Sequence, residues 1–319
     1  MQMRQVGSSG LSVSRLGLGT MTWGRDTTVD QARQLVRTFR EAGGTFFDTA
    51  AAYGNGDAER VLGELVAADR DDVVLATKSG FAIRQGQRVV DTSRRGLLRD
   101  LEGSLARLGT AYVDLWQVHT WGAAPLEETL SALDHAVSQG MARYVGLSNF
   151  VGWQTAQAAT WQRAVPGRTP ISSLQVEYSL LARRAEVEIL PASKAFQLGF
   201  FPWSPLGRGV LTGQYRHGLP RGSRGASSHF AWFVEPYLQV RSRGVVEAVA
   251  KAAEGLDLSP LEVALLWVRD APGVTAPLLG ARTPAQLAGC LATETKDLPL
   301  EIARALDDVS GGPVAGRVR

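Results

Sequence analysis

Among 319 residues there is one cysteine, Cys290, and there are only four lysines and four histidines. A single cysteine excludes an internal disulfide framework and a cysteine-rich zinc site, and a reducing cytoplasm is the simplest compartment for such a chain. The histidines, His119, His135, His217 and His229, show neither H-E-x-x-H nor facial-triad spacing, so no metal is expected. No apolar run approaches the roughly 18 residues of a membrane span. The opening MQMRQVGSSG also lacks the apolar segment of a secretion signal. Neither sign of charge dominates: 34 basic and 31 acidic residues leave a net value of +3. The arginines are scattered apart from local groups at Arg94, Arg95 and Arg99 and at Arg216, Arg221 and Arg224. A nucleic-acid binder gathers its basic residues into a stripe with stacking aromatics. Neither nucleic acid nor membrane is therefore an expected partner.

What is present is a regular alternation of amphipathic helical stretches with short runs rich in β-branched and aromatic residues. VDQARQLVRTFREAGG reads as a helix closed by glycine and leads to the strand TFFD. DAERVLGELVAADR leads to DDVVLATK, SRRGLLRDLEGSLARLG to YVDLWQVH, and LEETLSALDHAVSQG to ARYVGLSNF. GWQTAQAATWQRA then leads to ISSLQVEYS, and EVEILPASKAFQLG to FFPWSP. With SRLGLGT early and GVTAPLLG late, the strands number eight.

Apolar strands joined through helices form a parallel sheet with helices outside it. Eight such units without a Gly/Ser/Pro linker favour an α/β fold of the (β/α)8 TIM-barrel type, in one domain spanning 1–310, with a loose tail at 311–319. An open dinucleotide-binding sheet loses its main support because GLGTMTWG does not carry the G-x-G-x-x-G spacing. The longest irregular stretch, about 205–240, is expected to carry function.

Barrels of this kind place their active sites at the C-terminal ends of the strands. The polar residues that end the apolar runs are therefore the candidates: Asp48, Lys78, His119, Ser148, Asn149, Gln175, Glu177 and Ser204. Asp48, Lys78 and His119 come from three consecutive strands and should face one mouth, with Tyr53 on the loop after Asp48. A phenol is a poor acid near neutrality unless its anion is stabilised. An ammonium held near Tyr53 lowers its pKa, and a carboxylate held near that ammonium keeps it charged. In that arrangement Asp48 anchors Lys78, Lys78 tunes Tyr53, Tyr53 gives a proton to a developing alkoxide, and His119 positions the same oxygen. Taken singly, each residue has an ordinary structural reading as well: a turn cap for Asp48, a snorkelling strand-end lysine for Lys78, a satisfied buried histidine for His119 and a turn aromatic for Tyr53.

In this order, FFDTAAAYGNGDAERVLGELV, LATKSG, LWQVH, VGLSNF, LQVEYSLLAR and SPLGRGVLTG resemble the aldo-keto reductase superfamily. The match runs over nearly the whole chain and leans toward the bacterial general reductases related to potassium-channel β subunits. The resemblance implies a catalytic tetrad at Asp48, Tyr53, Lys78 and His119, and NADPH-dependent reduction of an aldehyde or ketone. Hydride then goes to the carbonyl carbon and a proton comes from Tyr53. It also implies a cofactor site built from Gly19, Thr20, Met21 and Asp48 near the first strands, and from Ser148, Asn149 and Gln175 around the nicotinamide carboxamide. Trp203 would stack on the ring, and Ser204, Pro205, Leu206, Gly207 and Arg208 would wrap the pyrophosphate. Gly280, Arg282 and Gln286 would lie at the 2′-phosphate, since a guanidinium pairs with phosphate oxygens.

The chain departs from the family where many relatives carry a Glu-Asn pair that binds adenine. Gly289 and Cys290 stand there, so NADH is carried as a weaker alternative cofactor. Trp23, Tyr53, His119, Trp121, Trp232 and Phe233 are candidates for the walls of a pocket for an apolar carbonyl compound, although scattered core tryptophans would look the same.

Two rival classes stand beside the reductase. A glycosidase needs two facing carboxylates; Glu177 is one candidate, but Asp114 starts its strand, Glu127 and Glu128 begin a helix, and no second partner emerges except Asp48, whose neighbours already explain it. A nucleotide-binding redox sensor or regulatory subunit with little turnover is the alternative function. The chain carries no signal that separates a monomer from a homo-oligomer.

Overall fold

Eight short strands carry the sheet: β1 (Gly17–Gly19), β2 (Phe46–Asp48), β3 (Val74–Ser79), β4 (Val113–Val118), β5 (Ala142–Ser148), β6 (Ile171–Glu177), β7 (Gly199–Trp203) and β8 (Leu278–Leu279). In the computed structural model, which describes residues 1–227 and 230–311, they run β7-β6-β5-β4-β3-β2-β1-β8 with every neighbouring pair parallel. The ring closes where Phe200 of β7 bridges Val274 on the approach to β8. There the Thr275 amide donates to the Phe200 carbonyl at 2.8 Å and the Phe200 amide donates to Thr275 Oγ1 at 3.0 Å. The fold is the (β/α)8 barrel that the alternation predicts.

Strand periodicity of two sorts the side chains. Phe46, Ala76, Leu115, Phe201, Ala276 and Leu278 fill the barrel. Their neighbours Phe47, Leu75, Trp116, Leu174 and Phe200 face the helical layer. The bottom is closed by a hairpin, Met3–Gln5 against Ser12–Ser14, which sends Val6, Leu11 and Val13 into the interior cluster. Gly199 admits that plug: a Cβ there would lie 2.5 Å from a Val6 methyl.

The outer ring is α1 (Val29–Glu41), α2 (Asp57–Val66), α3 (Arg94–Leu108), α4 (Leu126–Ser138), α5 (Gly152–Ala164), α6 (Ile189–Ala195), α7 (Val240–Leu256), α8 (Pro260–Arg269), α9 (Pro284–Leu291) and α10 (Leu300–Ser310). α1 shows why such segments coil. Thr28 and Gln31 cap its first turn reciprocally, and Ala32, Leu35, Val36 and Phe39 make one buried stripe. α6 starts later than EVEILPASKAFQLG suggests, because Pro191 has no N–H and fits only a first turn. The long stretch after β7 is built from short helical turns, Gly207–Thr212, Arg224–Ala226, Ala231–Val234 and Glu235–Tyr237. Except for Gly311, the tail expected at 311–319 lies outside the described residues, as does His229.

Phe46 is fully buried inside the barrel, 4.8 Å ring to ring from Phe201. Phe46→Ala should lower the unfolding free energy by about 3–5 kcal/mol in urea titrations. Trp153→Ala, at a side chain 58% exposed, should cost less than about 1 kcal/mol. Equal losses would place the core elsewhere.

Candidate active site

Asp48 reaches the mouth because Phe46 turns inward and Phe47 outward, so the next inward position on β2 is the carboxylate. The same alternation on β3 sends Ala76 and then Lys78 inward. Lys78 is completely buried and Asp48 nearly so. The Lys78 ammonium donates to Asp48 Oδ2 at 2.7 Å, to the Thr49 carbonyl at 2.7 Å and to the Tyr53 hydroxyl at 3.4 Å. Gln175, from β6, donates to Asp48 Oδ1 at 2.8 Å. Three acceptors surround the ammonium and both carboxylate oxygens are used, which is what a buried ion pair requires.

Tyr53 opens a tight turn, Tyr53–Gly56, in which Gly54, Asn55 and Gly56 all take positive φ. That need for left-handed backbone accounts for the Gly-Asn-Gly sequence. The chain before it is stitched to β3: the Thr49 amide donates to the Ala76 carbonyl at 2.9 Å and the Ala51 amide to the Lys78 carbonyl at 3.1 Å. His119, one residue past β4, stands nearly perpendicular to Tyr53 with ring centroids 6.0 Å apart. Its Nδ1 is buried without a protein partner among the described residues.

The strand ends of β5 and β7 adjoin this group. Asn149, in left-handed backbone, donates to the His119 carbonyl at 2.9 Å and to Ser148 Oγ at 3.2 Å, and accepts from the Trp203 indole at 3.0 Å. Thr20, just past β1, donates to the Asp48 carbonyl through both its amide, at 3.0 Å, and its hydroxyl, at 3.2 Å. Gly19 ends β1 and Met21 follows Thr20 at the same rim. A groove of about 830 Å³ opens beside Asn149, Glu177, Trp203 and Tyr237.

The Aldo/keto reductase family model matches residues 15–310. The chain belongs to the aldo/keto reductase family. It is 36% identical to "Uncharacterized oxidoreductase YrpG" of Bacillus subtilis (strain 168), over 98% of this chain and 97% of that protein. It is 35% identical to "Probable voltage-gated potassium channel subunit beta" of Oryza sativa subsp. japonica, over 90% of this chain and 89% of that one. "Aldo-keto reductase YhdN" of Bacillus subtilis (strain 168) is 31% identical over 90% and 87%. Membership carries oxidoreductase chemistry, and among the described residues no helix is long and apolar enough to cross a membrane.

Electrostatics within this reductase mouth depart from the sequence expectation at Tyr53. Burial raises its pKa, Lys78 lowers it, Asp48 raises it again, and the net position is above the ordinary 10. The residues alone point to the ammonium; desolvation, which only the fold reveals, wins here. For Lys78, burial acts downward, but Asp48 and then Tyr53 outweigh it and hold the ammonium above its ordinary value. For His119, burial first and the Lys78 charge second bring the imidazole down to about 3. At neutral pH the site therefore holds a phenol, an ammonium and a neutral imidazole.

Two of the expected site residues have other partners in the structure. Arg208, expected beside a pyrophosphate, is engaged: Nε and Nη2 donate to the two Glu177 oxygens at 2.9 and 2.8 Å, Nη1 donates to the Phe233 carbonyl, and the guanidinium covers the Phe233 ring at 3.8 Å. The carboxylate ending β6 offers a fork match that solvent does not. Trp23, expected in a pocket wall, is 0% exposed and belongs to the outer core. Trp121 packs edge-on against Phe150 and Trp153, each at 5.3 Å. Trp232 is 56% exposed, near Phe233, which in turn stacks on Trp203 at 6.4 Å. Ser204, Pro205, Leu206 and Gly207 form the turn between β7 and Arg208. Cys290 is buried, and burial pushes its thiol up to about 12.

Three residues at the mouth lie outside the sequence expectation. Phe81 faces His119 at 5.3 Å, and Trp153 extends the Trp121 wall. Arg224 brings a second guanidinium to the Arg282 side: its Nη2 lies 3.3 Å from where a Gly280 Cβ would be. Burial, then repulsion from Arg282, lowers its pKa. Among the described residues neither guanidinium forms an ion pair. Arg282 Nη2 donates to the Gly222 carbonyl at 2.9 Å, and its amide donates to Gln286 Oε1 at 2.9 Å.

Lys78→Met leaves Asp48 buried without its counter-ion and should cost about 3–5 kcal/mol in urea unfolding; a loss near zero would mean the pair is solvated. Proton NMR of the His119 ring should show no titration between about pH 5 and about pH 8, and a midpoint near 6.5 would contradict its neutrality.

Proposed function

We propose that this chain is an NADPH-dependent carbonyl reductase in which Tyr53 protonates the oxygen of an aldehyde or ketone. The observation that carries the reading is the chain of contacts from Asp48 through Lys78 to the Tyr53 hydroxyl. Bound NADPH supplies the hydride that reaches the carbonyl carbon. The residues of this chain do the rest. Tyr53, still protonated at neutral pH, transfers its proton as negative charge develops on the substrate oxygen. Lys78, held charged by Asp48, stabilises the phenolate left behind, and neutral His119 hydrogen-bonds the same oxygen.

The residues present suit the dinucleotide. Ser148, Asn149 and Gln175 would meet the carboxamide, although Gln175 offers only what its bond to Asp48 leaves over. Trp203 would face the ring, and the turn from Ser204 to Gly207, with positive φ at Ser204 and Gly207, lets backbone approach the pyrophosphate. Arg282, Gln286 and Gly280 would take the 2′-phosphate with Arg224, since two guanidiniums that form no ion pair among the described residues repel until an anion lies between them. NADH, lacking that phosphate, is the weaker alternative. Phe81, Trp121, Trp153 and Phe233 would wall an apolar substrate. A cytoplasmic enzyme of one domain, 1–310, completes the reading. The similarity to the rice protein named as a channel β subunit favours one other role, a nucleotide-binding regulatory subunit with little turnover.

Tyr53→Phe should lower kcat for aldehyde reduction by about a hundredfold or more while NADPH still quenches tryptophan fluorescence; full turnover would sink the mechanism. Because the acid form of Tyr53 is the active one and its pKa is raised, the rate should stay level through neutral pH and fall only as pH climbs above about 10; a fall already near neutrality would contradict it. Arg224→Ala and Arg282→Ala should each weaken NADPH by about tenfold to a hundredfold and leave NADH little changed, whereas equal losses for both nucleotides would misplace the phosphate.

A further inference from the structure

One fully buried charge has no part in the chemistry described so far. Glu59, on α2, is 0% exposed. Its Oε1 accepts from Thr77 Oγ1 at 2.5 Å and its Oε2 from Arg107 Nε, on α3, at 2.7 Å. Arg107 Nη2 also donates to Ser104 Oγ at 3.2 Å. The Arg107 side chain is 23% exposed, and an ion pair with one partner buried adds little stability over apolar groups of the same volume, so stability alone does not account for it.

Its partners do. Thr77 is the residue before Lys78 on β3 and points out of the barrel where Lys78 points in. Arg107 lies against Gly56, the last residue of the turn that opens with Tyr53. A Cβ on Gly56 would stand 2.5 Å from Arg107 Cδ and 2.6 Å from its Nε, so the guanidinium stem fills the space behind the turn. α2 grows directly from that turn, with Gly56 as its N-cap. One end of the pair therefore holds the strand of Lys78, and the other backs the turn of Tyr53.

We propose that Glu59 and Arg107 are positioning residues that set the Tyr53 hydroxyl against the Lys78 ammonium. The 3.4 Å contact between those groups is long, and a shift of the turn away from β3 would break it. The inference rests on Tyr53 being the proton donor. Among the described residues the pair bonds only to Thr77 and Ser104, neither of them a candidate cofactor residue, so its loss should act on kcat and spare nucleotide affinity.

The test compares the double replacement Glu59→Gln with Arg107→Met, which removes both charges at similar volume, in the parent enzyme and in the Tyr53→Phe background. In the parent, kcat for aldehyde reduction should fall between about tenfold and about a hundredfold, with NADPH affinity by fluorescence quenching unchanged. In the Tyr53→Phe background the residual rate should not fall further, because the hydroxyl being positioned is gone. An unchanged kcat in the parent would overturn the proposal, as would equal falls in both backgrounds, which mark a purely structural role. Full activity in Tyr53→Phe alone would instead overturn the proton-donor reading. If the double replacement does not fold, Arg107→Lys retains a charge beside Glu59 while removing the guanidinium from Gly56, and the same two-background comparison decides.

Discussion

A lysine ammonium and an aspartate carboxylate 2.7 Å apart, both taken out of water, set the terms for everything around them. Removing two charges from solvent costs several kcal/mol each unless the remaining hydrogen-bonding capacity is filled. The barrel fills it with Thr49 and Tyr53 on the ammonium and Gln175 on the carboxylate. Those partners come from β6 and from the β2 loop, so the ring must close before the pair is tolerable. The site and the closure of the sheet are thus one problem with one solution.

The proposed chemistry is built on that pair. A protonated phenol, a charged lysine behind it and an imidazole that stays neutral make an acid with a stabilised conjugate base. The same burial that keeps Tyr53 protonated makes the reverse role, a base for alcohol oxidation, less accessible at neutral pH. On the side where the nucleotide is proposed to bind, Arg208 is held by Glu177 and by the aromatic rings of Phe233 and Tyr237. It braces the loop after β7, while Arg224 and Arg282 form no ion pair among the described residues and stand together beside Gly280. Glu177, the lone carboxylate of the glycosidase alternative, is accounted for by this brace, and Asp114 by Arg70 at the strand start.

How much of this was readable from the residues alone divides along physical lines. Strand order, the eight βα units and the polar strand ends were legible because a period of two sends every second residue inward. The position that follows Phe46 on the inner face could only be Asp48. The turn at Gly54 to Gly56 was legible for the same local reason. What depends on loops folding back was not. Phe81 sits on a second hairpin, Phe81–Arg84 against Gln87–Val90, and Trp153 on a helix start, and each meets its partner only in three dimensions. Arg224 lies far from Arg282 in the chain. Trp23 reads as a wall because it follows a strand, but it is fully buried in the larger hydrophobic cluster. The direction of the Tyr53 shift required weighing desolvation against two opposed charges at close range, a balance that residue identity does not contain.

The central claim is that hydride passes directly to a carbonyl carbon held above this tetrad. Incubating the enzyme with an aromatic aldehyde and NADPH doubly deuterated at the hydride-bearing ring carbon, then taking the proton and deuterium NMR spectra of the alcohol, tests it most directly. The account predicts a single deuterium on the carbinol carbon of the product. Consumption of the nucleotide with no deuterium in the alcohol, or no alcohol at all across a panel of aldehydes and ketones despite tight nucleotide binding, would contradict it.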